Sequence, residues 1–282
     1  MTLLVDADWL GAHLDDVDLV DVRWSPAEGT PGAIKSFEAG HIPGAVMLNI
    51  DRDLAADPVA GPGRHPLPSP DVFAATIGAA GIGGDRPVIA YDDAGGSLAA
   101  RLWWMLDATG RRCSLLDGGL AAWRRALEEG PARPRRPIRV EPRPWPPDRL
   151  ADAQTVLDDL RTAAATVLDV RAPERYRGEV EPFDPVAGHI PGALSDPWTA
   201  TLDAKGRFRS AAELRAHFAS IGIEEHGGTI VHCGSGVTAC HDLFALRLAG
   251  LGDARLYEGS WSDWVRDPSR PVTTGEAAGT PV

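Results

Sequence analysis

Short β-branched apolar runs alternate with stretches of helical periodicity along the whole chain. DLVDV (18–22) and PVIAY (87–91) in the first half, and TVLDV (166–170) and TIVH (229–232) in the second, have the length and composition of buried strands. Between them lie apolar residues at helical spacing, as in LAARLWWMLDATG (98–110) and LFALRLAGLG (243–252), each closing at a glycine. Strand–helix alternation of this kind predicts an α/β fold built on a mostly parallel sheet with helices on both faces. Ligands on such sheets bind beyond the carboxyl ends of the strands.

The pattern is written twice. LVDVRW followed by FEAGHIPGA (37–45) returns as VLDVRAPERY followed by VAGHIPGA, so that Asp21, Arg23 and His41 recur as Asp169, Arg171 and His189, 148 residues on. Further along, VIAYDDAGG around Asp92 matches TIVHCGSG around Cys233, and LLDGGLAAW matches LYEGSWSDW, now 141 residues apart. The first half therefore carries seven extra residues, and the place for them is the stretch from Asp51 to Pro68. Between the copies, residues 131–147 hold seven prolines, which forbid a regular helix and predict an extended connector laid over the surface. The expected organisation is a first domain at 1–130, a linker at 131–147 with its arginines on a solvated face, and a second domain at 148–282.

Composition narrows the function. The 282 residues suffice for two cores, and a net charge of −12 argues against a nucleic-acid binder and against docking on anionic lipid. Three cysteines make no disulfide framework, and no apolar run approaches a membrane span. The expectation is a cytoplasmic protein without nucleic-acid or membrane partners.

The candidate chemistry sits at Cys233, in a glycine-containing loop after the strand TIVH and before a helix expected to start near Thr238. Backbone N–H groups of such a loop, and the positive end of the following helix, favour a thiolate, so a lowered thiol pKa is expected. Gly234 and Gly236 let the backbone curl closely around an anion, with Ser235 and Thr238 as added hydroxyl donors. Asp92 holds the equivalent position in the first copy, which argues against Cys233 as a mere buried structural thiol. Cys240 reads as an inert helix residue rather than a redox partner, and His232, Cys233, Cys240 and His241 do not have zinc-site spacing. The duplicated Asp–Arg pairs read as structural ion pairs, His41 and His189 as turn or core residues, and Trp261 and Trp264 as core.

Two VDVR-type strands each followed by GHIPGA, then CGSGVTAC and a DGG/EGSW closing motif, resemble the tandem-domain rhodanese sulfurtransferases, from about Leu3 to Trp264. The resemblance implies two domains of one fold, with only the second catalytic. It implies a double displacement in which Cys233 takes sulfur from a small-molecule donor as a persulfide, with no other cofactor, and yields it to cyanide, a small thiol or a thioredoxin-like protein. CGSGVT resembles the loop of the mercaptopyruvate branch more than that of the thiosulfate branch, which implies a binding loop of Gly234, Gly236, Val237 and Thr238; the arginine missing from the segment before GHIPG keeps thiosulfate as the alternative donor. In the mercaptopyruvate branch Ser235, His65 and Asp51 would relay a proton, the last two contributed by the first domain. Of two substrate arginines in the segment before GHIPG, Arg175 fits the first, while Phe183 and Asp184 stand where the second is expected; Arg177 is the substitute the sequence offers.

Two other classes fit the sequence less well. A cysteine phosphatase needs an arginine six residues after the cysteine, where Ala239 stands, and the loop itself has no basic residue. A non-catalytic binding or redox-sensing module would suit a domain whose cysteine is lost, and here Cys233 is present.

Overall fold

Two five-stranded sheets carry the fold, and every strand pairing within them is parallel. The computed structural model describes residues 2–59, 61–224 and 228–280. The first sheet holds β1 (Leu4–Val5), β2 (Asp18–Asp21), β3 (Val46–Met47), β4 (Val88–Tyr91) and β5 (Cys113–Leu116), in the order β1-β5-β4-β2-β3. The second holds β6 (Leu150–Ala151), β7 (Ala165–Asp169), β8 (Leu194–Ser195), β9 (Gly228–His232) and β10 (Arg255–Tyr257), in the identical order β6-β10-β9-β7-β8.

The helices repeat too. Around the first sheet run α1 (Ala7–Ala12), α2 (Gly29–Ala39), α3 (Pro70–Ala79), α4 (Ala99–Ala108) and α5 (Gly119–Ala122); around the second run α6 (Ala153–Thr162), α7 (Pro173–Tyr176), α8 (Ala211–Ser220), α9 (Ala239–Leu248) and α10 (Ser260–Trp264). Even the caps match. Asp6 accepts from Trp9 N as Asp152 accepts from Thr155 N, and Ser69 caps α3 as Ser210 caps α8. β3 and β8 keep the 148-residue separation while α3 and α8 have the 141-residue one, so the seven extra residues fall between β3 and α3. α4 and α9 follow the strands that matter most. Each is buried over eight consecutive residues, Ala99–Leu106 and Ala239–Leu246, which is the behaviour of a helix enclosed nearly all round.

By packing, the chain divides into one unit of Met1–Ala56, Leu67–Pro146 and Ala204–Phe208, and another of Asp57–Pro66, Pro147–Asp203 and Arg209–Val282. Two short segments thus depart from a division at 130 and 148. Residues 57–66 fold with the second unit because their backbone is tied there: Arg64 N donates to Ser262 Oγ at 3.0 Å, and Arg266 donates to the carbonyls of Gly61 and Gly63 at 2.9 and 2.7 Å. Gly63 is required at that crossing. Its φ is +73°, and a Cβ there would sit 2.3 Å from the Gly259 carbonyl oxygen. The proline-rich stretch straps the first unit without regular structure. Ile138 N donates to Gly78 O at 3.0 Å, Arg135 to Asp18 at 2.9 Å and Trp145 Nε1 to Pro68 O at 2.9 Å.

The duplicated Asp–Arg pairs are structural. Arg23 bonds Asp21 at 2.7 Å and the Gly40 carbonyl at 2.8 Å; Arg171 bonds Asp169 at 2.5 Å and the Gly188 carbonyl at 2.7 Å, all buried. Burial alone would raise the Asp169 carboxyl, but the adjoining Arg171 and His232 charges and the Arg171 hydrogen bonds hold it below the usual range. His41 and His189 face the carbonyls of Phe37 and Tyr176, and Trp261 and Trp264 are fully buried. Among the described residues no helix is long and apolar enough to cross a membrane.

Candidate active site

Cys233 follows the last residue of β9, where the strand ends and the chain must turn into α9. It is 2 % exposed, and its backbone is pinned on both sides: its N–H donates to Ser260 Oγ at 3.1 Å, and its carbonyl accepts from Trp261 N at 3.0 Å. The Gly234 carbonyl accepts from Ser262 N at 3.0 Å, so β10 and α10 close the loop from below. Gly236 has φ +76°, and a Cβ there would meet the Glu258 carbonyl oxygen at 2.3 Å, so only glycine fits. Val237 is buried, Thr238 is the N-cap residue of α9 without a side-chain cap bond, and Cys240 is buried with its Sγ 3.4 Å from Gly236 O.

The first unit shows what this loop backbone holds. At the position equivalent to Cys233, Asp92 is fully buried and its carboxylate accepts four backbone N–H bonds: from Ala94 (2.9 Å) and Gly96 (2.8 Å) on Oδ1, and from Leu98 and Ala99 (both 2.8 Å) on Oδ2. Its carbonyl accepts from Leu120 N at 2.8 Å, the counterpart of the Cys233–Trp261 bond. The corresponding donors in the second unit are the N–H groups of Ser235, Val237, Ala239 and Cys240, the last of which also donates to Val237 O at 3.2 Å. Gly95 and Gly236 share a positive φ; Gly96, at +88°, corresponds to Val237. Where the first unit has Gly119 at φ +54°, the second has Ser260 at φ +53°, a strained conformation for a residue with a side chain.

Beside Cys233 the structure brings Ser235 and His65 together. Ser235 is buried, and its Oγ shares a 2.7 Å hydrogen bond with His65 Nδ1, whose direction follows the imidazole tautomer. Asp51 lies in the first unit, where it accepts from Trp24 Nε1 at 2.6 Å.

The charged groups at the loop go beyond what the sequence suggested. A side chain at Gly234 would collide with two guanidiniums, its Cβ falling 3.0 Å from Arg64 Nη2 and 3.2 Å from Arg175 Nη1. Arg175 is held through Nη2 by Glu181 at 2.7 Å, and Glu181 also meets Arg171 at 3.3 Å. Arg64 is held through Nη1 by Asp184, whose other oxygen lies 3.7 Å from Arg175. The Phe183 ring lies 5.5 Å from the Arg64 guanidinium and 5.1 Å from that of Arg175. Asp169, Arg171, Glu181, Arg175, Asp184 and Arg64 thus form one alternating chain of charge from the end of β7 to the cysteine loop. Arg177 plays no part in it, pairing with Glu179 at 2.7 Å on the surface. Sequence reasoning missed Arg64, although it precedes the flagged His65 and sits in the stretch recognised as an insertion.

A family model described as a rhodanese-like domain matches residues 6–126 and again 152–267. The chain is 44 % identical to a Pseudomonas aeruginosa protein named as a probable 3-mercaptopyruvate sulfurtransferase, over 97 % of this chain and 98 % of that one. It is 42 % identical to SseB of Mycobacterium tuberculosis, named for thiosulfate sulfurtransferase activity, over 93 % of each. The crystal structure of SseA from Escherichia coli, presented as a 3-mercaptopyruvate sulfotransferase of the rhodanese fold, superposes with a TM-score of 0.82 at 35 % identity, covering 93 % of this chain and all of that one.

Proposed function

The chain belongs to the rhodanese-like family and is a sulfurtransferase; from that premise we propose that it takes sulfur from 3-mercaptopyruvate, carries it as a persulfide on Cys233 and passes it to a thiophilic acceptor. The observation that carries this reading is the Ser235–His65 pair at 2.7 Å, two residues from the nucleophile. Mercaptopyruvate differs from thiosulfate in its leaving group. When the Cys233 thiolate attacks the donor sulfur, the S–S bond forms and the C–S bond breaks, and the electron pair leaves as the pyruvate enolate, which needs a proton. A hydroxyl–imidazole pair supplies one. Thiosulfate instead releases sulfite, which leaves with its own charge and needs no proton.

The persulfide anion is the only carrier the cycle needs. Support for its binding comes from Asp92: the same loop in the first unit already satisfies a buried anion with four N–H donors. In the second half-reaction cyanide attacks the outer sulfur, thiocyanate leaves and the Cys233 thiolate returns; a small thiol or a thioredoxin-like protein thiol fits the same step. Asp51, by its motif position, is the proposed third member of the relay.

Thiosulfate is the second reading, favoured by the two guanidiniums beside Gly234, which suit a dianion. The test is kcat/KM for thiocyanate formation with each donor, in the wild type and in Ser235→Ala, with Cys233→Ser as the inactive reference. We expect mercaptopyruvate to be preferred by ~100-fold, and Ser235→Ala to cost ~100-fold with mercaptopyruvate but little with thiosulfate. A thiosulfate preference, or equal losses with both donors, removes Ser235 and His65 from the relay.

A further inference from the structure

The insertion between β3 and α3 delivers a charge to the cysteine loop. We propose that Arg64 is a donor-binding residue, forming with Arg175 a two-guanidinium clamp for the carboxylate of the donor. This rests on the mercaptopyruvate reading above and names the group that recognises that substrate.

Four observations carry it. First, the two arginines converge on the backbone next to the nucleophile, with Arg64 Nη2 and Arg175 Nη1 at 3.0 and 3.2 Å from the position a Gly234 Cβ would take. Gly234 does not have a positive φ, so its missing side chain serves space rather than conformation. Second, each arginine is anchored through its other terminal nitrogen, Arg64 Nη1 by Asp184 and Arg175 Nη2 by Glu181. Each therefore presents one N–H edge to the loop in a fixed orientation. Third, Asp184 and Phe183, in the segment before the second GHIPGA, both contact Arg64, so that segment grips an arginine arriving from the insertion. Fourth, the acids and arginines alternate one for one. The clamp costs the fold no uncompensated buried charge when empty, and still offers two N–H edges to an incoming carboxylate.

On the mercaptopyruvate reading, the anion held there is the carboxylate of the donor. Two edges from separate guanidiniums suit two oxygens of one planar group, and they meet the backbone at Gly234, the residue next to Cys233. The alternative is that Arg64 only neutralises Asp184.

The experiment measures binding apart from turnover. The probe is 3-hydroxypyruvate, the unreactive oxygen analogue, titrated calorimetrically into the wild type, Arg64→Gln and Arg64→Lys. Removing one charge-assisted contact should weaken Kd by about 10- to 100-fold in Arg64→Gln, with Arg64→Lys between because it keeps charge but loses the planar fork. Because Arg64→Gln leaves Asp184 without its partner, the double variant Arg64→Gln/Asp184→Asn is titrated alongside and should show the same loss. In turnover, Arg64→Gln should lower kcat/KM for mercaptopyruvate but not for mercaptoacetone, which lacks the carboxylate. An unchanged Kd in both variants, or equal losses with the two donors, overturns the role of Arg64. Failure of the wild type to use mercaptopyruvate at all, with 3-hydroxypyruvate binding still dependent on Arg64, would instead overturn the donor reading and leave the clamp standing.

Discussion

Asp92→Asn tests the physical basis of the proposed persulfide site at its equivalent in the first unit. Each oxygen of the Asp92 carboxylate accepts two backbone N–H bonds of 2.8–2.9 Å. An amide is nearly the same shape, but whichever way it is turned, its NH2 group faces two N–H donors. Two charge-assisted bonds are lost, worth about 3–6 kcal/mol together at ~1.5–3 kcal/mol each. Removing a buried charge returns part of this, because the carboxylate no longer has to leave water on folding. The net expectation is ~2–4 kcal/mol of local destabilisation. Hydrogen exchange read by mass spectrometry is the suitable assay, because a two-unit chain gives no single unfolding free energy. Peptides spanning β4 to α4 should exchange ~30- to 1,000-fold faster, while those spanning β9 to α9 serve as the internal reference. A change below about 1 kcal/mol would mean that these four N–H groups do not constitute an anion site. The argument that the same backbone holds the persulfide would fall with it.

Two further predictions concern the loop's supports. Burial pushes the Asp242 carboxyl on α9 well above the usual range, and the charges of Asp196 and Cys233 add to this. From its ordinary value of 3.8 upward, the folded state keeps a proton that the unfolded chain has released, so this group's contribution to stability falls as pH rises. Asp242→Asn removes that slope, and its Tm advantage over the wild type should widen between about pH 5 and about pH 8; a constant gap would show that Asp242 does not titrate this way. At Ser260, Ala should be worse than Gly. Both lose the hydroxyl that accepts from Cys233 N, but only Ala keeps a Cβ at φ +53°, at a cost of ~1 kcal/mol. Hydrogen exchange of peptides spanning β10 and α10 that shows Ser260→Ala as protected as Ser260→Gly would refute the strain at this position.

The duplication made the fold legible. Two copies of strand, GHIPGA turn and glycine loop at near-constant separation fix the topology of each sheet, and the one position where the copies differ most in chemistry, Asp92 against Cys233, marks the site. The backbone at Ser260 is legible as well, since Gly119 stands at the same place in LLDGGLAAW and a glycine there signals a left-handed conformation. Arg64 was not. Its partners lie at 175, 183, 184 and 234, and no local pattern links them; the motif comparison could report an absent arginine but not one supplied through space. The same insertion accounts for the domain boundary, because the hydrogen bonds of residues 57–66 to Ser262 and Arg266 are long-range contacts that a periodicity argument does not see.

These two outcomes have one physical origin. A glycine loop between a strand and a buried helix leaves several N–H groups converging on one point, and a folded chain must satisfy them. In the first unit the chain satisfies them itself, with a carboxylate that cannot leave; that loop is complete and has no room for an anionic intermediate. In the second unit the residue at that point is a thiol, and on the proposed function a second sulfur bound to it is the anion that the equivalent donors would receive. On the proposed mechanism Asp92 would keep the first unit out of sulfur transfer by occupying its loop, as well as by offering no nucleophile. The charges follow the same division: the alternating chain ending in Arg175, Asp184 and Arg64 stands beside the loop that carries Cys233.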